Sequence, residues 1–261
     1  VRLALLQMRA APGDATANLA TIEAAAREAA AGGAGALLVP ELAVTGYGAG
    51  AMIAATAGGA DGAHAGALGA IAVAHGLTVV AGLAERAGDA LYNTALVSGP
   101  GGSRARYRKR HLYGAYERAL FTPGEEAPWP FDLGGVRAGL LVCYDIEFPE
   151  CARALAVAGA ALILAPTALP ASGHAEFIAQ KMIPVRAFEN QVFVAYANHA
   201  GADDRFAYAG QSVIAAPDGA ELARADARAP ALLFADIDPG AYAASRAENA
   251  YLADRRAGFP V

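Results

Sequence analysis

The chain has 261 residues, 56% of them hydrophobic and 17% charged, with a formal net charge of −5. That composition supplies a large core and excludes a disordered chain, and the acidic balance argues against nucleic acid or an acidic membrane surface as partner. Two cysteines, Cys143 and Cys151, make no disulfide framework and are expected to be reduced, as in a cytoplasmic protein.

The opening VRLALLQMRAAPGD breaks at Arg9 and Pro12, too soon for a signal-peptide core with its cleavage site. No apolar run approaches the ~20 residues of a membrane span. Arg2 to Met8 reads as a buried strand, and Asp14 or Thr16 is placed to cap a helix running to about Ala31. Ala36 to Val39 is a second strand, closed by Pro40-Glu41. A loop at Thr45 to Gly48 precedes a weak helical stretch from about Gly50 to His75, interrupted near Gly58-Gly59 and Asp61-Gly62. Leu77 to Leu83 is a third strand. Tyr92 to Val97 and Ser103 to Lys109 read as two strands joined by a glycine-rich turn.

The segment from His111 to Pro130 reads as loop-rich. Phe131 to Val142 holds a turn at Gly134-Gly135 and ends in Cys143, followed by a helix to about Ala158. Ala161 to Ala165 is a strand, Pro166 to Pro170 a loop, and His174 to Asn190 a helix expected to kink at Pro184. Val192 to Ala197, Gln211 to Ala215, Ala220 to Arg224 and Leu232 to Ile237 read as strands, and the residues beyond about Asn249 as a tail with little core of its own. Strand–helix alternation at both ends, with hairpins between, points to an α/β fold with a mixed sheet flanked by helices.

Three apolar stretches end in a reactive residue: LLVPE in Glu41, RARYRKRH in Lys109 and LLVCYD in Cys143. The end of a buried strand is the open rim where α/β folds place chemistry. A carboxylate, an amine and a thiol at such rims are the parts of nucleophilic acyl chemistry. Each has a plainer reading, as an exposed acid, a charge in a solvated basic run and a small buried hydrophobe. In a strand, Arg104, Arg106 and Arg108 share one face while Ala105, Tyr107 and Lys109 share the other, which separates Lys109 from the solvated arginines.

Taken with their order, PELAVTGY around Glu41, YRKRHLYGAYERALFTPG around Lys109 and GLLVCYDIEFPE around Cys143 resemble the nitrilase superfamily of carbon–nitrogen hydrolases. LALLQM, LAPTALP and IPVRAFENQVFVAYAN extend the resemblance over nearly the whole chain, so it implies one domain over residues 1–261, with 249–261 as a tail used in oligomer contacts. The resemblance implies a four-layer α-β-β-α sandwich, a correction to the single sheet. It also implies that Cys143 is the nucleophile, Glu41 the general base and Lys109 the stabiliser of the tetrahedral intermediate. Glu117 falls on the second, supporting glutamate, and the backbone N–H of Tyr144 on the oxyanion hole. Tyr47, Tyr116, Trp129 and the Pro166–Leu169 loop, with Thr167 and Ala168, are expected in the pocket walls. No metal or organic cofactor is required, and a homodimer or larger homo-oligomer is expected.

CYDIEFPE and IPVRAFENQ look most like the short aliphatic or stereoselective amidases, which release ammonia from a small carboxamide through a cysteinyl thioester. A nitrilase, an N-carbamoyl-amine hydrolase and an ω-amidase remain alternatives on the same triad. A catalytically silent binding or assembly module is the alternative of another class. Asp145, Glu147 and Glu150 read as helix-start acids, with Glu147 an alternative holder of the loop. His174-Ala175-Glu176 is half a zinc-deaminase motif without its cysteine partner half, and Cys151 reads as core.

Overall fold

The computed structural model describes residues 1–102 and 104–256. In chain order the elements are β1 (Arg2–Gln7), α1 (Ala15–Ala31), β2 (Ala36–Leu38), α2 (Ala51–Thr56), α3 (Ala63–His75), β3 (Thr78–Ala87), β4 (Ala90–Ser98), β5 (Arg104–Arg108) and α4 (Gly114–Leu120). They continue with β6 (Phe131–Leu133), β7 (Val136–Leu140), α5 (Pro149–Val157), β8 (Leu162–Pro166), α6 (Ala175–Phe177), α7 (Ile183–Asn190), β9 (Phe193–Ala197), β10 (Val213–Ala215), β11 (Glu221–Arg224), β12 (Ala231–Asp236), α8 (Ala243–Glu248) and α9 (Tyr251–Asp254).

The strands form two sheets, ordered β12-β1-β2-β3-β4-β5 and β11-β10-β9-β8-β7-β6. Each has a parallel trio, β1-β2-β3 or β7-β8-β9, flanked by antiparallel strands. Side chains alternate between two apolar environments. Leu3, Leu5, Leu38 and Val80 turn inward and join Leu140, Leu164 and Ala195 in one core. Ala4, Leu6, Leu37 and Val79 turn outward onto Ile22, Ala26 and Ala29 of α1 and Leu68 and Ala72 of α3. Strands buried on both faces need no polar alternation, which is why ALLV and LILA read as plain apolar runs. On the far side, Leu155 of α5 and Ile183 and Ala187 of α7 cover the second sheet. Helix α5 lies so close that a Cβ at Gly139 would meet a Leu155 methyl at 2.4 Å. The result is the four-layer α-β-β-α sandwich.

Four details differ from the sequence reading. The loop-rich segment expected from His111 to Pro130 contains α4. Strand β3 runs on to Ala87 and turns through Gly88-Asp89 into β4, with Gly88 at φ 59° as a two-residue hairpin requires. The irregularity expected at Pro184 falls one turn earlier, as a π-turn over Ile178–Met182. Pro184 then sits in the first turn of α7, where its missing N–H costs little. The tail is not wholly coreless: Tyr251 stacks edge-on against Phe188 at 5.6 Å, and the Gln191 amide donates to the Asn249 carbonyl. Ser103, the expected start of β5, and residues 257–261 of the tail lie outside the described residues. Among the described residues no helix is long and apolar enough to cross a membrane.

Candidate active site

Glu41 follows β2 by three residues, in a turn that carries Leu42 at φ 48°. The turn lies directly on β3. A Cβ at Gly82 would sit 2.2 Å from the Leu42 nitrogen and 2.6 Å from the Glu41 Cα, so only glycine permits the approach. Gly82 N–H donates to the Pro40 carbonyl at 3.1 Å. From the other sheet, His199 Nε2 lies 2.7 Å from the Glu41 carbonyl, and burial lowers the pKa of this imidazole. A carbonyl only accepts, so Nε2 carries the proton and donates.

Lys109 follows β5. The alternation expected for that strand holds from Ala105 onward: Tyr107 and Lys109 are buried while Arg106 is exposed. The lysine Nζ donates to Glu41 Oε1 and to Glu117 Oε1, each at 2.7 Å. An ammonium has three N–H groups, so one remains for a ligand. Burial alone would lower the Lys109 pKa; the Glu41 and Glu117 carboxylates outweigh it and hold the amine charged.

Glu117 is set by α4. Its Oε2 accepts from Tyr113 N–H at 2.9 Å, capping the helix that carries it. Its Oε1 accepts from Lys109 and, at 2.9 Å, from the Tyr47 hydroxyl. Burial raises the Glu117 pKa, Lys109 opposes the rise and Glu41 adds to it. Glu41 is engaged differently. Its Oε1 accepts from Lys109 and, at 2.7 Å, from Asn93 Nδ2, while its Oε2 is buried without a partner among the described residues.

Cys143 opens a 3₁₀ turn, Cys143–Glu147, after β7, and sits at φ 46°, a region costly for a side-chain residue. Burial pushes the thiol pKa well up, Glu41 and Glu117 push it further, and Lys109 and the Ala168 backbone N–H pull it back. The resting group is therefore a neutral thiol that needs a base. Asp145 is a helix-start acid of this turn, as expected, and it is fully buried. Its Oδ1 accepts from His111 N–H at 2.9 Å and lies 2.7 Å from His111 Nδ1, and its Oδ2 accepts from Val142 N–H at 3.2 Å. It pins the Cys143 turn to the loop after Lys109. Cys151 is buried with its thiol pushed up to about 11, consistent with core.

A cavity of about 360 Å³ opens onto Cys143, with Tyr113, Tyr144, Leu169, Ile178 and Met182 in its walls and Glu147 facing it. Of the expected walls the Pro166–Leu169 loop reaches it through Leu169, and Tyr144, expected for its backbone N–H, lines it as well. Ala168 lies behind the thiol, and Thr167 is buried and donates to the Ala165 carbonyl at 3.0 Å. Tyr47 and Tyr116 stand beneath the site, Tyr47 on Glu117 and Tyr116 donating to the Tyr47 carbonyl at 2.7 Å. Trp129 is a correction: it is 74% exposed and lines a separate groove with Arg106 and Phe131. The sequence reading missed Asn93, Tyr113, Ile178 and Met182, because strand and helix assignments alone do not say which face meets a cavity. Among the described residues no group of histidine, cysteine and acidic side chains could hold a metal ion.

A carbon-nitrogen hydrolase family model matches residues 2–247. The chain is 42% identical over 261 residues to a hydrolase of Pseudomonas protegens, covering 98% of this chain and 89% of that one. It is 34% identical over 262 residues to an (R)-stereoselective amidase of Pseudomonas sp., covering 98% and 92%. Among solved structures, the amidase from Nesterenkonia sp. AN1 superposes with a TM-score of 0.87 at 38% identity, covering 98% of this chain and 97% of that one. A cysteine-to-alanine variant of that amidase is solved in complex with butyramide, with a TM-score of 0.87 at 38% identity over 98% of this chain and 94% of that one.

Proposed function

The chain belongs to the carbon–nitrogen hydrolase family, the nitrilase superfamily, and on that premise we propose that it is an amidase, hydrolysing a small carboxamide to carboxylate and ammonia through a thioester on Cys143. The observation that carries this reading is the unequal engagement of the two buried glutamates. Glu117 has a partner on both oxygens, whereas Glu41 keeps one buried oxygen free of any partner among the described residues. Glu41 is thus the base and Glu117 the brace.

In the proposed reaction Glu41 Oε2 takes the thiol proton as Sγ bonds to the amide carbon. The carbonyl π pair moves onto oxygen, where the third Lys109 N–H and the Tyr144 backbone N–H receive it. A single donor of this kind in a dry site contributes about 3 kcal/mol to the transition state. The C–N bond then breaks as Glu41 returns the proton to nitrogen, and ammonia leaves. Water enters, gives a proton to Glu41 and attacks the thioester. The C–S bond breaks, the thiolate regains a proton and the carboxylate departs. The same atoms suit a nitrile or a carbamoyl group; the similarity to amidases of known structure favours the amide.

Ammonia release from a panel of small amides, nitriles and N-carbamoyl compounds tests the reading. Activity on amides, with loss of it and of a trapped acyl-enzyme mass in Cys143→Ala, is the expected result. Turnover confined to nitriles defeats it. Self-association is part of the same proposal: light scattering of the full chain should give more than the mass of one chain, and a strict monomer removes it.

A further inference from the structure

The walls of the cavity above Cys143 are not neutral in their chemistry. Tyr113, Tyr144, Leu169, Ile178 and Met182 are apolar or aromatic, and His174 stands exposed at the rim. The one carboxylate facing the cavity among the described residues is Glu147, and no lysine or arginine lines it. The cations nearest to hand are already used. Lys109 is tied to Glu41 and Glu117. Arg186 gives Nε to the Ile146 carbonyl at 2.9 Å, one terminal nitrogen to the Glu147 backbone carbonyl at 2.7 Å and the other to Glu189 at 2.9 Å. The Glu147 side chain itself has no hydrogen-bond partner among the described residues. Burial raises its pKa, and the fields of Lys109 and Arg186 only partly offset that. A half-buried carboxylate without a partner, facing a binding cavity, is completed by a donor on the ligand.

Its position along the turn says which part of the ligand that is. Cys143 and Glu147 are the ends of one 3₁₀ turn, which at about 2 Å of rise per residue sets their backbones about 8 Å apart along its axis. The leaving nitrogen is served by Glu41, so Glu147 is left for the acyl chain. Resting on the amidase reading, we propose that Glu147 selects the acyl group: the pocket takes amides whose short acyl chain carries an ammonium or hydroxyl donor, and it turns away chains ending in a carboxylate. Apolar walls hold the methylenes, and Glu147 receives the donor. A substrate carboxylate would stand against a like charge with no cation to relieve it, which disfavours it strongly. This counts against ω-amides of dicarboxylic acids and N-carbamoyl amino acids as substrates.

Four amides of matched length test the proposal: butyramide, 4-aminobutanamide, 4-hydroxybutanamide and succinamate, compared by kcat/KM for ammonia release at neutral pH. The expected order places the amino and hydroxy amides above butyramide, the amino amide by about 10-fold, and succinamate at least about 100-fold below butyramide. In Glu147→Gln the ratio of amino amide to butyramide should fall toward one, and succinamate should gain relative to both. A general loss of structure lowers all four together and leaves the ratios alone. If wild type hydrolyses succinamate as well as butyramide, or if the ratios are unmoved in a folded Glu147→Gln, the selection role is wrong while the amidase reading stands. If the Glu147→Gln chain fails to fold, the wild-type order alone decides. Silence on all four amides from a folded enzyme whose Cys143 still alkylates overturns the amidase reading, and this inference with it.

Discussion

At the residue scale, the proposed reaction assigns different work to two side chains of the same chemistry. Both Glu41 and Glu117 are fully buried and both touch Lys109, yet of the two only Glu41 has an oxygen without a partner among the described residues. Both carboxylates also raise the Cys143 thiol, Glu41 the more strongly. Glu41→Gln therefore has two expected effects of opposite sense. Turnover falls by about 10²- to 10⁴-fold, the usual contribution of a positioned general base. The thiol pKa moves down, so iodoacetamide labels Cys143 at a lower pH than in the wild type. A pH profile of labelling read by mass spectrometry checks the second effect; an unmoved profile would mean that the carboxylate does not act on the sulfur. Lys109→Met leaves two buried carboxylates without their cation. It should destabilise the chain by about 3–5 kcal/mol as well as abolish turnover, measurable by urea unfolding.

At the element scale, the strand β5 that delivers Lys109 is held by an ion pair between a half-buried arginine and a buried glutamate on the outward-facing side of the sheet. Arg108 grips Glu85 of β3 with two bonds, at 3.1 and 2.6 Å, and Thr94 of β4 adds a third at 2.8 Å. The Arg108 guanidinium also lies 3.9 Å over the Tyr92 ring. Burial pushes the Glu85 pKa up, but Arg108 and Thr94 prevail and it ends below the usual carboxylate range. A depressed folded pKa means that the unfolded chain binds the proton more readily. The pair's contribution is thus whole above the unfolded glutamate value of about 4.3 and is lost as pH falls through the lower folded value. Glu85→Gln should cost about 2–3 kcal/mol at pH 7, discounted for the partly exposed arginine, and progressively less below pH 4. Urea midpoints measured from pH 3 to 7 check it; a deficit constant with pH would remove the ionic part of the account. This pair also marks what was legible in the sequence. The alternation in RARYRK correctly separated Lys109 from the arginines, but nothing local revealed that Arg108 has a buried partner on a strand more than twenty residues away. Helix α4 was invisible for a related reason: GAYERAL is a single short amphipathic segment whose start is capped by Glu117, a residue that also serves the site. The strand ends bearing Glu41 and Cys143 were legible because a chemically reactive residue interrupts an apolar run.

At the scale of the whole molecule, the site exists only because two sheets are packed together. Glu41 and Lys109 are delivered by the first sheet, Cys143 and Ala168 by the second, and His199 from the second side grips the Glu41 turn. The division into two sheets could not be read from periodicity, since strands buried on both faces carry no mark of which neighbour lies beyond; it came from the family resemblance. The same architecture separates two kinds of core. Leu38, three residues before Glu41, faces the space between the sheets, whereas Ile22 lies between α1 and the outer face of the first sheet. Both are fully buried, and truncating either to alanine should cost about 2–5 kcal/mol through lost burial and a residual cavity. Only Leu38→Ala loosens the spacing across which Glu41 must reach the thiol. A shift of about 1 Å between reacting groups costs on the order of 100-fold in rate. At a temperature well below both melting transitions, Ile22→Ala should retain wild-type kcat/KM and Leu38→Ala should lose 10-fold or more. Equal activities in the two folded variants would show that the spacing across the sandwich is set elsewhere than in its shared core.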